Sequence, residues 1–310
     1  MTRKQKHMEQ VVEFASAPET AVAGAVGVGA LYVVATPIGN LDDLSLRARN
    51  VLSAVDLIAA EDTRHTRHLL AHYGIQAKLI AVHEHNEAQS SAKLVSMLAA
   101  GQSVALVTDA GTPCISDPGS RLVAASLAAG HKVVPVPGAN AAITALSASG
   151  IEGPFLFLGF LPAKPAERRR ALDAVATQPH TLVFHEAPHR VVESVADLAA
   201  VLGGARRLVI ARELTKKFES IHACQLEHAP SWLAADTDRQ RGEFVLIVSG
   251  ATSNIADAAD SAVLPAAAER TLALLLADLP LKQAVKLATQ ISGASRNLLY
   301  ARALELSGEK

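Results

Sequence analysis

The sequence predicts an α/β protein of two domains with a small helical appendage, and three observations carry the prediction. From Leu31 short β-branched runs alternate with helical periodicity. A break at 150–154 separates that stretch from a half richer in strands, and after Gly250 only amphipathic helical patterns remain. Of the 310 residues 50% are hydrophobic, enough for more than one core.

In the first domain, 29–150, residues 31–35 form a continuous apolar run, the mark of a strand covered on both faces. A helical pattern follows at 44–55, then an apolar strand at 57–60, a helix at 63–73 and a strand at 79–83. Helices at 88–100, 120–129 and 139–149 enclose strands at 104–108 and 132–136. Such alternation implies a mostly parallel sheet with helices on both faces. In the second domain, 151–250, strands at 155–159, 181–185, 208–211, 220–223 and 244–248 share helices at 167–176 and 190–202, so a mixed sheet is expected.

The helical domain, 260–310, holds amphipathic stretches at 262–277, 281–291 and 295–306. Gly293 is suited to close the second and Ser295 to cap the third, which fits a helix-turn-helix-like unit or a plain packing appendage. Residues 1–28 read as a disordered extension. The charge-free stretch 21–35 superficially resembles a signal peptide, but Glu9, Glu13 and Glu19 precede it and it ends in a core strand.

A net charge of −1 offers no global field to a nucleic acid or a membrane, so DNA is not expected and any RNA contact must be a local basic patch. No stretch reaches the roughly 18 apolar residues of a membrane span. Cys114 and Cys224 are far apart, which points to a reducing, cytoplasmic compartment.

Residues 104–119 carry the most chemistry. An apolar strand there runs into a loop with Asp109, Gly111, Asp117 and Gly119, where backbone amides and carboxylates can meet a nucleotide-like ligand at the end of a parallel strand. Turns at 36–45 and 135–141 repeat the theme, with Asp42 or Asp43 expected as an N-cap. Two patterns mislead. His185-Glu186-Ala187-Pro188-His189 spells the HExxH of zinc proteases, but Pro188 breaks the helix which that mechanism requires. His65, His68, His72, His83 and His85 could crowd a metal, yet they stand among arginines and read as a solvated face. No metal is expected.

The blocks Thr36-Pro-Ile-Gly-Asn-Leu-Asp-Asp, Glu61-Asp-Thr-Arg-His-Thr, Thr108-Asp-Ala-Gly-Thr-Pro-Cys-Ile-Ser-Asp-Pro-Gly, Pro137-Gly-Ala-Asn-Ala, Phe184-His-Glu-Ala-Pro-His-Arg, Ala211-Arg-Glu-Leu-Thr-Lys-Lys-Phe-Glu and Gly242-Glu-Phe come in order. Together they resemble the small-subunit ribosomal RNA methyltransferase I family, a branch of the tetrapyrrole-methylase-like, class III S-adenosylmethionine (SAM) methyltransferases. The resemblance runs from about residue 30 to 306 and includes the helical tail. It implies a homodimer that holds SAM between two α/β domains and methylates the ribose 2'-hydroxyl of a cytidine in the decoding centre of 16S rRNA, within the small ribosomal subunit. Carried over, the SAM contacts are Pro37, Asp109, Ala110, Gly111, Thr112, Ser116, Asp117 and Ala139, with Phe184, Ala211 and Leu214 contributing largely through main-chain atoms.

A ribose hydroxyl must lose its proton as the new bond forms, so a base is needed. Glu61, Asp62, Glu186 and Lys216 are candidates beside His83, His189 and Glu213, and the choice stays open. Lys216 qualifies if Lys217, Arg212 and burial lower its pKa. Candidate RNA contacts are Arg64, Arg67, Arg190, Arg212, Lys217, Lys282 and Arg296, with Lys286 and the Arg168–Arg170 run also basic. The alternatives are a methyltransferase of the same fold acting on a tetrapyrrole or diphthine-type substrate, and a non-catalytic ribosome-assembly module.

Overall fold

The computed structural model describes residues 26–83, 85–251, 264 and 266–307. Most of the leader, 1–25, and the linker, 252–263, lie outside the described residues.

Among the described residues ten strands form two five-stranded sheets. The first contains β1 (Leu31–Val34), β2 (Leu57–Ala60), β3 (Leu79–Ala81), β4 (Val104–Val107) and β5 (Val133–Val136), in the order β3-β2-β4-β1-β5. Every pairing in it is parallel. Helices α1 (Leu46–Ala54), α2 (Thr63–His72), α3 (Glu87–Ala99), α4 (Ser120–Ala128) and α5 (Ala141–Ser147) connect or follow these strands. Strand parity divides the apolar side chains into two cores. Tyr32, Val34, Ile58, Ala60, Ala105 and Val107 pack with α1, whereas Leu31, Leu57, Ala59, Val104 and Leu106 pack with Leu94, Leu98 and Leu122 of α3 and α4.

The caps differ in part from expectation. Asn40, not Asp42 or Asp43, caps the short 3-10 turn Leu41–Asp43 by accepting from Asp42 N, and Ser45 caps α1 by accepting from Ala48 N. Asn40, two residues before Asp42, accepts from the free amide of the turn and leaves both aspartates inside it.

The second sheet joins β6 (Phe155–Phe160), β7 (Thr181–Glu186), β8 (Arg207–Arg212), β9 (Ser220–Gln225) and β10 (Phe244–Val248), in the order β6-β7-β10-β8-β9. β6 runs parallel to β7 and the other pairs are antiparallel, as a mixed sheet. Helices α6 (Pro165–Asp173) and α7 (Val191–Leu202) cover one face. The other face, with Val183, Val209, Ala211, Val245 and Ile247, packs on Ala142 and Ala145 of α5 and so joins the two sheets. The Arg168–Arg170 run is not simply a solvated face. Arg168 is 1% exposed and donates Nε to Asp197 Oδ2 at 2.7 Å, while Arg169 takes the other oxygen at 2.7 Å.

Helix α8 (Ala229–Ala234) follows β9, with Pro230 in its first turn. The tail consists of α9 (Ala266–Asp278), α10 (Leu281–Ser292) and α11 (Arg296–Ser307). Gly293 closes α10 at φ +68°. The buried tail residues Leu272, Val285, Ala288, Leu299 and Ala303 form a core of their own. Among the described residues no helix is long and apolar enough to cross a membrane.

Candidate active site

β1 and β4 are adjacent, and the chain leaves them in opposite directions, towards β2 and β5. A crevice at their carboxyl ends is where open α/β sheets bind ligands. The two loops there are clasped: Thr36 N donates to Gly111 O at 2.9 Å and Gly111 N returns to Thr36 O at 3.0 Å. Gly111 adopts φ +83°, a conformation that side chains other than glycine rarely take. Thr112 Oγ1 donates to the Ala139 carbonyl at 3.1 Å and ties in the third turn.

These loops and the second sheet enclose a cavity of about 400 Å³, within the range of small-molecule sites. Glu61, Asp109 and Asp117 line one side; Ile38, Ala211, Leu214 and Val245 give it an apolar wall. The acids are held in place. Thr108 Oγ1 donates to Glu61 Oε2 at 2.5 Å, and Asp62 N donates to Asp109 Oδ1 at 3.1 Å. Burial raises the Asp109 carboxyl, and the Glu61 charge adds to the rise against the hydrogen bond from Asp62 N. Burial also pushes Asp117 up to about 6, helped by the charges of Glu61 and Asp109.

Strand parity decides what the second sheet shows to this cavity. Val245 is paired with His185 on one side and with Ala211 on the other, and all three line the cavity. Phe184 points the opposite way and is fully buried with α7, so only its main chain can approach a ligand. His185 lies edge-on to Phe157 and Phe160, with centroids 5.0 and 5.4 Å away. Burial lowers its pKa, which keeps the imidazole neutral near pH 7, and its buried Nε2 has no partner among the described residues. Sequence reasoning missed His185 as a site residue; the alternation of Val183 and His185 with Leu182 and Phe184 is the signal that marks it.

The candidates separate clearly. Glu61, Asp109, Ala110, Gly111, Thr112, Ser116, Asp117, Glu186, Ala211 and Leu214 line the cavity. Pro37, Ala139 and Phe184 stand one residue from lining positions Ile38, Asn140 and His185. Asp62 does not line it: its carboxylate caps α2 through Arg64 N at 2.8 Å and pairs with the Arg64 side chain, and those bonds hold it well below the usual carboxylate range. Lys216 also stands outside the lining, and the condition under which it could serve as a base, a lowered pKa, is not met. Burial does act downward, but Glu213 and Glu243, each 2.9 Å from Nζ, outweigh it and the net shift is upward.

Two expected phosphate ligands are engaged internally. Arg190 donates Nε and Nη2 to Glu186 Oε1, and Arg212 Nη1 donates to the carbonyls of Asp238 and Arg241. Glu186 Oε2 stays buried without a partner among the described residues. Arg64, Arg67, Lys217, Lys282, Lys286 and Arg296 are exposed. The HExxH letters span the end of β7 and a turn before α7, so the two histidines do not share a helix.

Comparison with known proteins follows the same lines. The family described as Tetrapyrrole (Corrin/Porphyrin) Methylases matches residues 30–230, and one described as RsmI C-terminal HTH domain matches 262–307. A Pseudomonas aeruginosa protein named ribosomal RNA small subunit methyltransferase I is 52% identical over 282 residues, covering 91% of this chain and 99% of its own. Its Escherichia coli O157:H7 namesake is 53% identical over 281 residues, covering 90% and 96%. Among solved structures, the methyltransferase CobJ superposes with a TM-score of 0.54 at 20% identity, over 71% of this chain and 94% of its own. A Thermus thermophilus uroporphyrin-III C-methyltransferase complexed with S-adenosyl homocysteine gives 0.50 at 18%, over 71% and 96%. These structural likenesses show the fold.

Proposed function

Because the chain belongs to the small-subunit ribosomal RNA methyltransferase I family of tetrapyrrole methylases, we propose that it transfers a methyl group from SAM to the ribose 2'-hydroxyl of a cytidine in the decoding centre of 16S rRNA. The observation that carries this reading is the meeting of Glu61, Asp109 and Asp117 opposite an apolar wall. Burial and neighbouring negative charge raise the pKa values of Asp109 and Asp117, which favours a ligand that brings positive charge and an apolar body. SAM, with its ammonium, sulfonium and adenine, has that chemistry, and the unpartnered His185 Nε2 leaves a polar contact for it.

On this reading Asp109 to Thr112, Ser116, Asp117, Ala211 and Leu214 hold the cofactor, joined by Pro37, Ala139 and Phe184 through main-chain atoms. Bound there, the cofactor supplies an electrophilic methyl group. Glu61, oriented by Thr108, takes the proton of the acceptor hydroxyl, and Ile38, Leu214 and Val245 exclude water from the reacting atoms. Positioning rather than covalent help supplies most of the acceleration.

Exposed Arg64, Arg67, Lys217, Lys282 and Arg296 contact rRNA phosphates in the small subunit. The chain divides at 29–150, 151–250 and 260–310 and works as a cytoplasmic homodimer. Its edge strand β6 supports association, with Phe155 45%, Leu156 37% and Phe160 55% exposed.

The test is transfer of labelled methyl from SAM to purified small subunits, free rRNA and a tetrapyrrole, with the modified atom mapped. Label on a cytidine 2'-oxygen is expected, and Glu61→Gln should lower kcat measured at saturating SAM by about 10²- to 10⁴-fold. Label on the tetrapyrrole alone, or none on subunits or rRNA, would overturn the proposal.

A further inference from the structure

A second cavity, of about 650 Å³, lies between the start of α7 and the 3-10 segment Thr237–Gln240. Pro188, His189, Val192 and Glu193 line one wall, Thr237, Gln240 and Arg241 the other. Pro188 also lines the first cavity, so the two meet at the turn after β7. None of the relatives' names and no part of the proposed mechanism assigns it a role.

Its outer wall is unusually well fixed for a surface loop. Arg212 Nη1 donates to the carbonyls of Asp238 at 2.9 Å and Arg241 at 3.1 Å. Arg239 Nη1 donates to Trp232 O at 2.9 Å while its guanidinium lies 4.6 Å from the Trp232 ring centre, and Gln240 Nε2 donates to Leu233 O at 3.0 Å. The opposite wall is fixed by the Arg190–Glu186 pair. Two surface segments held this firmly make a preformed groove, the condition under which little ordering cost remains for a ligand.

We infer that this groove is a subsite for an unpaired nucleotide of the acceptor RNA, next to the one that is methylated; the inference rests on the methyltransferase reading of the first cavity. Unpaired nucleotides are recognised by flat side chains that stack on bases and by donors that meet base edges and phosphates. The groove offers the His189 imidazole, the Thr237 hydroxyl and the exposed Arg241 guanidinium, whose Nη1 meets Asp238 Oδ1 at 3.0 Å in a surface ion pair weak enough to be exchanged for a phosphate, flanked by apolar Pro188 and Val192. Position favours the same role, because Pro188 is shared by the two linings and a nucleotide in the groove lies next to the cofactor cavity.

The test uses the full chain and purified small subunits with Arg241→Ala, Arg241→Lys and His189→Ala. SAM affinity by calorimetry should stay within about twofold of wild type. Arg241→Ala should raise KM for subunits about tenfold and lower the salt slope of RNA binding by about one, Arg241→Lys should restore the slope, and His189→Ala should raise KM about tenfold through lost stacking. Unchanged KM and salt slope in both alanine variants overturns the subsite. If wild type transfers no methyl, the functional reading fails; binding of an unpaired rRNA fragment then decides the groove separately, weaker binding by both variants upholding it and equal binding refuting it.

Discussion

Replacing Asp117 by Asn should make the protein more stable and its cofactor site worse. Asp117 titrates at about 6 instead of 3.8 because burial, Glu61 and Asp109 oppose its charge. Between those two values the folded chain keeps a proton that the unfolded chain has lost. Stability from this group therefore falls as pH rises through the window, and the whole cost is present above it. A shift of about two pH units corresponds to about 3 kcal/mol, and solvent screening of this partly exposed carboxylate reduces that to roughly 1.5 kcal/mol. Urea denaturation at about pH 7.5 should show Asp117→Asn more stable by that amount, with about half the gap left near pH 5 and almost none below pH 4. Calorimetry at about pH 7.5 should show SAM bound roughly tenfold or more weakly, as expected for a lost charge-assisted contact. With wild type, cofactor binding should release protons near pH 6, visible as a dependence of the binding heat on the buffer. A variant no more stable than wild type, or a gap that does not close on acidification, would refute the repulsion argument. Unchanged SAM affinity would refute the assignment of the acids to a cationic ligand.

Three further outcomes follow from packing. Arg168→Ala removes one of the two arginines that hold the buried Asp197, leaving Arg169 on the other oxygen, and should cost about 1–3 kcal/mol by urea denaturation, more than an exposed arginine would. Gly119→Ala, at φ +128° with its new Cβ 2.6 Å from Leu106 Cδ2 in a filled core, should cost about 1–3 kcal/mol in unfolding and weaken SAM binding through the Asp117 loop. Removing residues 260–310 should leave SAM affinity intact, because the tail has its own core, while weakening small-subunit binding in a filter assay; unchanged methylation of subunits would reject a docking role.

Local pattern made much of this molecule legible. Residues 57–60 and 244–248 are unbroken apolar runs, and both are strands with those bounds. The Asp109–Asp117 loop was legible as a unit because its glycine and acids are close in the chain, and Asp109, Gly111 and Asp117 line one cavity. Helix α8 was missed because Pro230 and Ser231 look like a turn, although proline fits the first turn of a helix. The surroundings of Lys216 were not legible for a different reason: Glu243 is brought to it from 27 residues away, and no local reading supplies that partner. The central position of β10 in its sheet is likewise a product of long-range pairing, which no local pattern encodes.

The parity of β7 has a practical consequence. Neighbouring letters of one motif answer to different demands: Val183 and His185 face the seam and the first cavity, while Leu182 and Phe184 fill the core under α7. Replacing His185 therefore changes a cavity wall, whereas replacing the adjacent Phe184 opens a void in the core. A slip of one residue in the pairing with β10 would exchange the two sets, turning a phenyl ring to the cavity and an imidazole to the hydrophobic interior.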